Sequence, residues 1–230
     1  MPAPAWDIDA PSDAARLVRN ATDLMTELNA RAAARSDIDA AEVRRWHTQL
    51  YTGCRVPLPG YVGHSRGDPA VPELVGYEIG VGPDQPDGFP DRVGVWSNTV
   101  ESEVDAFLRG VRNALLALDA RLSATGLPAI GLPATPGEIT AVVELAGTLH
   151  GEWLRMHPFA NGNGRTARVW VGWLALRYRL PLFLSVKPRP DNVAYARASR
   201  TSMGRPPDFV GDHSETIALF ANLLAEKLLS

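Results

Sequence analysis

The sequence predicts an all-helical domain that carries one short β-hairpin. In most of the chain, apolar residues recur at the three- and four-residue spacing of amphipathic helices. The stretch between Arg55 and Trp96 departs from this pattern, because Pro and Gly are frequent there. With 230 residues, the chain fits one domain large enough to bury a substantial core. We therefore expect a single domain over residues 1–230, with N-terminal helices in residues 1–43.

Capping residues locate the starts of the first three predicted helices. In each case a Ser, Asp or Asn precedes an apolar stripe, as is typical of a helix N-terminus. These capping residues are Ser12 with Asp13, Ser36, and Asn98 with Glu101. The stripes that follow them begin at Leu17, Ile38 and Val104.

A further helix is predicted to end just before His157. Its start is marked by a capping box, in which Thr135 is the N-cap and Glu138 lies three residues later. At its other end, Pro158 disfavours helical backbone geometry at the residue before it. We therefore expect the helix to end near Met156 and the imidazole to lie in a loop.

The next helix is predicted to begin at about Asn163 and to be central. It is apolar on most faces and contains Trp170 and Trp173, which favours burial. Two C-terminal helices are predicted to start at Asp191 and at Asp212 with Glu215. The side chains expected to face inward on the last helix are Ile217, Phe220, Leu224 and Leu228.

The Pro- and Gly-rich stretch contains the predicted hairpin. Two apolar runs, Leu74–Val81 and Arg92–Trp96, flank the loop GPDQPDGFP. The alternative interpretation is a solvent-covered connection that has no partner.

The most informative segment is HPFANGNGRTAR, which starts at His157. An unperturbed imidazole titrates at roughly 6.5, so this histidine can accept a proton near neutral pH. Gly162 and Gly164 allow main-chain N–H groups to approach an anion at the start of a helix. Arg165 and Arg168 lie three residues apart on one helical face, and their guanidinium groups suit phosphate oxygens. The segment predicts transfer of a phosphate-containing group.

Composition narrows the class of partner. The formal net charge of −3 gives no broad electrostatic footprint for nucleic acid or for an anionic membrane surface. A single cysteine, Cys54, cannot form an internal disulfide, and no Cys/His spacing indicates zinc. The chain has no apolar run of about 20 residues and no signal-peptide pattern at its start. We expect a cytoplasmic protein, while export as an effector by a specialised secretion apparatus would leave no such mark.

The motif resembles the signature of the Fic family, H-x-F-x-[D/E]-G-N-G-R-x-x-R. Seven residues match it in order and spacing: His157, Phe159, Gly162, Asn163, Gly164, Arg165 and Arg168. The resemblance is firm over the motif and looser from about Arg44 to the C-terminus. It implies an all-α, Fic-like helical bundle with a central buried helix after the motif loop and a short β-hairpin flap. Residues 44–230 would form the Fic core.

The resemblance also implies a protein adenylyltransferase that transfers AMP from ATP to a Tyr, Thr or Ser hydroxyl of a target protein. His157 would take the proton from the attacking hydroxyl. The main-chain amides of the loop around Gly162 and Gly164, together with the Asn163 side chain, would hold the α- and β-phosphates. Arg165 and Arg168 would secure the outer phosphates and orient the nucleotide. His157, Asn163 and Arg165 are the predicted catalytic residues, and a flap within residues 74–96 would dock the target by strand addition.

Two features depart from the commoner Fic pattern. Asn161 stands where the family usually has an acidic Mg²⁺ ligand. An amide oxygen is a weaker ligand, and Asn161 is equally well explained as a residue that stabilises the turn. No segment completes the inhibitory pattern [S/T]-x-x-x-E-[G/N]. Either a separate antitoxin-like protein supplies the inhibitory glutamate, as for a toxin, or Arg168 is left free.

Two alternatives to AMP transfer remain open. The first is a Fic-like transferase that uses another nucleotide or phosphate donor. The second is a catalytically silent domain that binds nucleotide or protein without turnover, and Asn161 is the residue that supports it.

Overall fold

The structure is a computed structural model, and it describes residues 4–6, 9–80, 92–124, 132–190 and 192–229. Its seven α-helices are α1 (Ala14–Ala33), α2 (Ala40–Tyr51), α3 (Val100–Ala124), α4 (Pro136–Met156), α5 (Asn163–Arg177), α6 (Val193–Met203) and α7 (Ser214–Leu229). Strands β1 (Ile79–Gly80) and β2 (Arg92–Val93) pair antiparallel, with Ile79 opposite Val93. The predicted all-α class with a short hairpin is confirmed.

Helix α5 is the central element, as its sequence predicts. It packs against α4 on one side and against α1 and α2 on the other. Trp170 and Trp173 are fully buried. The ring of Trp170 lies 4.9 Å from that of Trp46 on α2 and 6.1 Å from that of Trp153 on α4. These rings form the centre of the core, so the N-terminus of α5 is held at a fixed place relative to its neighbours.

Helix α4 begins and ends as predicted. The Thr135 side chain accepts a hydrogen bond from the Glu138 N–H at 3.3 Å, and the Glu138 side chain accepts one from the Thr135 N–H at 3.0 Å. At the other end, His157 is the C-cap residue and adopts left-handed backbone geometry, with φ of 50°. The imidazole therefore leaves the helix at its last turn.

Three predicted helix starts require correction or lie outside the described chain. Helix α2 is capped by Asp39 instead of Ser36, because the Asp39 carboxylate accepts a hydrogen bond from the Glu42 N–H at 2.8 Å. Ser36 instead closes the turn after α1 through its own N–H. Asn98 lies in a 3₁₀ turn before α3. Asp191 lies outside the described residues, and Asn192 caps α6.

The last helix differs from its prediction at one position. Phe220 and Leu224 are buried as expected, but Leu228 is 54% exposed. It lies in the final turn of α7, where the other residues of the turn are also exposed. No helix in the described part of the chain is long and apolar enough to cross a membrane.

The hairpin lies against the end of α4. Its loop, GPDQPDGFP, lies outside the described residues. Directly after β2, Gly94 has a φ of 78°, and a Cβ atom at this position would collide with the Cβ atom of His157. A residue with a side chain would be strained there as well as obstructed. Glycine therefore allows the hairpin to approach His157 this closely.

Candidate functional site

The loop between α4 and α5 is closed by Asn163. Its side-chain oxygen accepts a hydrogen bond from the Phe159 N–H at 2.9 Å, and its amide nitrogen donates to the Phe159 carbonyl at 2.7 Å. Asn163 is 1% exposed, and Phe159 is buried beneath the loop. This differs from the expectation that the Asn163 side chain faces the phosphates. In this structure, the side chain of Asn163 fixes the shape of the loop.

A second clamp on the loop comes from His47 of α2. Its Nδ1 atom accepts a hydrogen bond from the Gly63 N–H at 2.9 Å, so Nε2 carries the proton and donates to the Asn161 carbonyl at 3.0 Å. The ring also stacks on Phe159, with centroids 4.0 Å apart. Burial lowers the pKa of His47 to about 3, so this histidine is neutral and structural.

His157 is a neutral imidazole at neutral pH. Nδ1 lies 3.0 Å from the Leu154 carbonyl oxygen and must donate to it. The lone pair is therefore on Nε2, which makes no hydrogen bond to the residues that the structure describes. The half-buried ring has its pKa lowered to about 4, first by desolvation and then by the charge of Arg66, against the opposing effect of Leu154. Nε2 can accept a proton.

The N-terminus of α5 presents unpaired main-chain donors. The first helical hydrogen bond runs from the Thr166 N–H to the Gly162 carbonyl at 3.0 Å. The N–H groups of Asn163, Gly164 and Arg165 precede it and have no partner within the described ranges. With the helix dipole, such groups attract an anion.

Gly162 makes this turn possible. Its φ is 82°, in the left-handed region that glycine adopts without strain. A Cβ atom there would lie 2.8 Å from the Tyr51 ring and 3.1 Å from Nε2 of His47. The side chains of α2 therefore contact the turn closely, and glycine is the residue that fits.

Arg165 binds a carboxylate that the sequence analysis did not identify. Its guanidinium donates to both oxygens of Asp9, at 2.5 and 2.9 Å, and also contacts the Tyr51 hydroxyl. The Tyr51 hydroxyl in turn lies 3.3 Å from the Asp9 carboxylate. Arg165 is 8% exposed. In this arrangement, Asp9 occupies the guanidinium edge that was predicted to bind phosphate.

The segment that carries Asp9 is anchored by Trp6. The Trp6 side chain is 3% exposed, and its ring meets that of Tyr51 edge-on at 4.6 Å. Its main-chain N–H donates to the Tyr77 hydroxyl at 3.0 Å. The position of Asp9 is therefore supported by packing as well as by the ion pair.

Arg168 has no carboxylate partner among the described residues. It donates to the Val186 carbonyl at 3.0 Å and to the Tyr195 hydroxyl at 2.9 Å, and it is 3% exposed. Its neighbour Lys187 has its pKa lowered, first by desolvation and then by Arg165, with smaller contributions from Arg168 and other charges. Three cations thus lie close together, with Asp9 as the acid beside them.

The described residues do not fit a Mg²⁺ ion held by the protein alone. The Asn161 side-chain oxygen accepts a hydrogen bond from the Gly162 N–H at 2.6 Å, and its amide nitrogen is buried without a partner. No group of three or more His, Cys, Asp or Glu side chains suited to a metal ion occurs in the described chain. In this structure, Asn161 stabilises the turn.

Beside the motif lie four residues that the sequence did not point to as part of the site, in addition to His47. These residues are Asp9, Tyr51, Arg66 and Lys187. The local sequence gives a weak signal for one of them, since Arg66 ends the stretch YVGHSR, which loosely resembles the glycine and arginines that Fic proteins often have before the flap. The other three follow no local pattern and are found through the fold alone.

Comparison with known proteins agrees with this geometry. Residues 114–175 match the model of the Fic/DOC family, and this range includes the whole motif. Over this range the chain is similar to the Fic/DOC family. Transferases are common in that family. The comparison with curated proteins found no match.

A solved structure supports the fold. The chain is similar to the N-terminal FIC domain of Bep8 protein, a VirB-translocated Bartonella effector protein from Bartonella sp. 1-1C. The TM-score is 0.52 at 16% sequence identity, over 92% of this chain and 88% of that chain. At this identity, the likeness shows the fold alone.

Proposed function

We propose that this protein transfers AMP from ATP to the hydroxyl group of a Tyr, Thr or Ser side chain in a target protein. The target oxygen forms a bond to the α-phosphorus of ATP, and the bond from that phosphorus to the bridging oxygen breaks. Nε2 of His157 takes the hydroxyl proton, and pyrophosphate leaves. The protein acts mainly by positioning the reactants and stabilising negative charge.

The observation that carries this proposal is a neutral His157 beside unpaired donors. The Nδ1 contact to Leu154 leaves the Nε2 lone pair available as a base. One short loop later, the N–H groups of Asn163, Gly164 and Arg165 are suited to phosphate oxygens. A base and an anion-binding helix terminus are the two parts that in-line displacement at phosphorus requires.

We expect the cationic side chains near the start of α5 to bind the outer phosphates of ATP. Lys187 and Arg168 lie near the end of α5 that carries the unpaired donors. Arg165 joins them only if its guanidinium exchanges Asp9 for phosphate oxygens. ATP would bring Mg²⁺ on its own phosphates, and no step of the proposal depends on a protein ligand to that ion.

ATP labelled at different phosphates shows which part of ATP is transferred. Wild-type protein and His157→Ala are incubated with cell lysate and ATP labelled at either the α- or the γ-phosphate. Label transferred from the α-position alone, by the wild type alone, is the expected result. Transfer of γ-label alone would replace AMP transfer with phosphate transfer, and mass spectrometry would identify the added group and the modified residue.

Asn161→Asp is expected to increase transfer several-fold at limiting Mg²⁺. The substitution restores a carboxylate, the ligand that Mg²⁺ prefers, at the position where the family carries an acid. Initial rates are measured across a Mg²⁺ titration for both proteins. Identical Mg²⁺ dependence would show that the position plays no part in metal binding and acts through the turn. Asn192→Asp, a matched change at the cap of α6, should leave the Mg²⁺ dependence unaltered.

A second candidate function is nucleotide binding without turnover. Asn161 favours it, because an amide stands where the family usually has an acidic metal ligand, and its side-chain oxygen accepts a hydrogen bond from the Gly162 N–H at 2.6 Å. This candidate requires ATP binding by the purified protein with no labelling of lysate or of the protein itself.

A further inference from the structure

Arg66 is a fully buried arginine whose five N–H donors all have acceptors at the end of α4 and in the hairpin. Nε donates to the His157 carbonyl at 2.7 Å, and Nη2 donates to the Met156 carbonyl at 3.1 Å. Nη2 also donates to the Val95 carbonyl at 2.8 Å. Nη1 pairs with the Glu78 carboxylate at 2.9 Å. The second N–H of Nη1 donates to the Tyr77 carbonyl at 3.4 Å.

These contacts join two elements that are far apart in sequence. Met156 and His157 end α4, where main-chain carbonyls lack helical partners and a cation complements the dipole. Glu78 and Val95 belong to the two sides of the hairpin. The main chain adds to this connection, since the Arg66 N–H donates to the Pro158 carbonyl at 2.7 Å. Arg66 therefore holds the backbone on both sides of His157.

The backbone that Arg66 holds is unusual. His157 has left-handed geometry, with φ of 50°, which is unfavourable for most residues other than glycine. Such a conformation persists only where its surroundings fix it. Gly94 packs against the His157 Cβ atom, and a Cβ atom added to Gly94 would also lie 2.9 Å from the Arg66 guanidinium. The guanidinium, the hairpin and the imidazole thus form one contact group.

We propose that Arg66 is a positioning residue for the transfer reaction, and this inference rests on the proposed function. Through the carbonyls of Met156 and His157, it orients the imidazole so that Nε2 faces the attacking hydroxyl. Through Glu78 and Val95, it makes that orientation depend on the hairpin. Movement of the hairpin then changes the position of the base.

Among the described residues, Arg66 is the charged side chain that acts on the pKa of His157, and Glu78 neutralises Arg66. Arg155, two residues earlier on α4, is itself paired. Its partners are Glu103 and Glu152.

Two substitutions separate the position of His157 from its charge environment. Arg66→Lys keeps the positive charge but has three donors in place of five. We expect kcat to fall about 10²-fold with little change in KM for ATP, because a misplaced base slows chemistry without weakening nucleotide binding. Arg66→Met removes the charge as well, and we expect the pKa of His157, followed by NMR, to rise in this variant alone.

Arg177 is the matched control, because it is another buried arginine paired with a carboxylate, at 2.7 Å from Asp119. Arg177→Lys and Arg177→Met are expected to lower the melting temperature and to leave kcat and the His157 titration unchanged. If Arg66→Met does not fold, Arg66→Lys and Glu78→Gln test whether Arg66 positions His157. Glu78→Gln should lower kcat with KM for ATP retained.

Three results would overturn the inference. The first is an unchanged kcat in folded Arg66→Lys. The second is a fall in kcat no larger than that in Arg177→Lys. The third is a rise in KM for ATP that accounts for the whole loss of kcat/KM in Arg66→Lys. The NMR titration does not require turnover. If the wild type transfers nothing but Arg66→Lys still alters the contact of His157 with Gly94, Arg66 positions the imidazole and the proposed function fails.

Discussion

Replacing His157 with alanine is expected to reduce AMP transfer about 10³-fold and to leave ATP binding within about twofold of the wild type. General bases contribute roughly 10²–10⁴-fold to such reactions. Among the described residues, the side chain makes one hydrogen bond, to the Leu154 carbonyl at 3.0 Å, so its loss costs the fold about 1 kcal/mol. Initial rates with α-labelled ATP, together with ATP titration calorimetry, measure the two effects separately.

The backbone geometry at His157 calls for a second variant. Asparagine tolerates left-handed geometry, so His157→Asn retains the turn while removing the base. Both variants should lose transfer equally and melt near the wild-type temperature. Wild-type rates in either variant would exclude His157 as the base, whereas loss of ATP binding in both would assign it to nucleotide binding.

Asp9→Asn is expected to tighten ATP binding by about tenfold or more. In the present structure, the Asp9 carboxylate holds both terminal nitrogens of Arg165, at 2.5 and 2.9 Å. A hydrogen bond to a charged partner contributes about 1.5–3 kcal/mol, so an intramolecular carboxylate competes effectively with a phosphate. The amide removes the charge at nearly constant size. Titration of both proteins with ATP measures the change directly.

Asp119→Asn provides the control for this substitution. Asp119 repeats the arrangement elsewhere in the fold, since it accepts hydrogen bonds from the Arg177 guanidinium at 2.7 Å and the Tyr178 hydroxyl at 2.8 Å. Its substitution should lower stability without changing ATP affinity. Weaker ATP binding in Asp9→Asn would show that Asp9 orients Arg165 for the nucleotide, and equal binding would show that Arg165 does not contact ATP.

The parts of the site that depend on neighbouring residues were predictable. The capping box of Thr135 and Glu138 predicted the start of α4, and Pro158 indicated that the helix would end before His157. Apolar residues on most faces of α5 indicated its central place. Each of these features depends on residues within about one or two helical turns, where backbone sterics and periodicity act.

The remaining parts depend on distant contacts that no local pattern records. Asp9 and Arg165 are 156 positions apart, and Arg66 lies 91 positions before His157. Asn163 illustrates a different limit, because its residue type was matched to the motif but its side chain binds the Phe159 backbone. A motif gives the residue types at a site, while the packing decides which atom each residue presents.

The most direct test of the account is an NMR titration of the wild type that follows His157 and the amides of Asn163, Gly164 and Arg165 as a non-hydrolysable ATP analogue is added. We expect an imidazole that is protonated on Nδ1 alone at pH 7, with a pKa near 4, and amide shifts at all three positions on binding. An imidazolium at pH 7, or nucleotide binding that leaves those three amides unmoved, would contradict the claim that a neutral base faces a phosphate held at the start of α5.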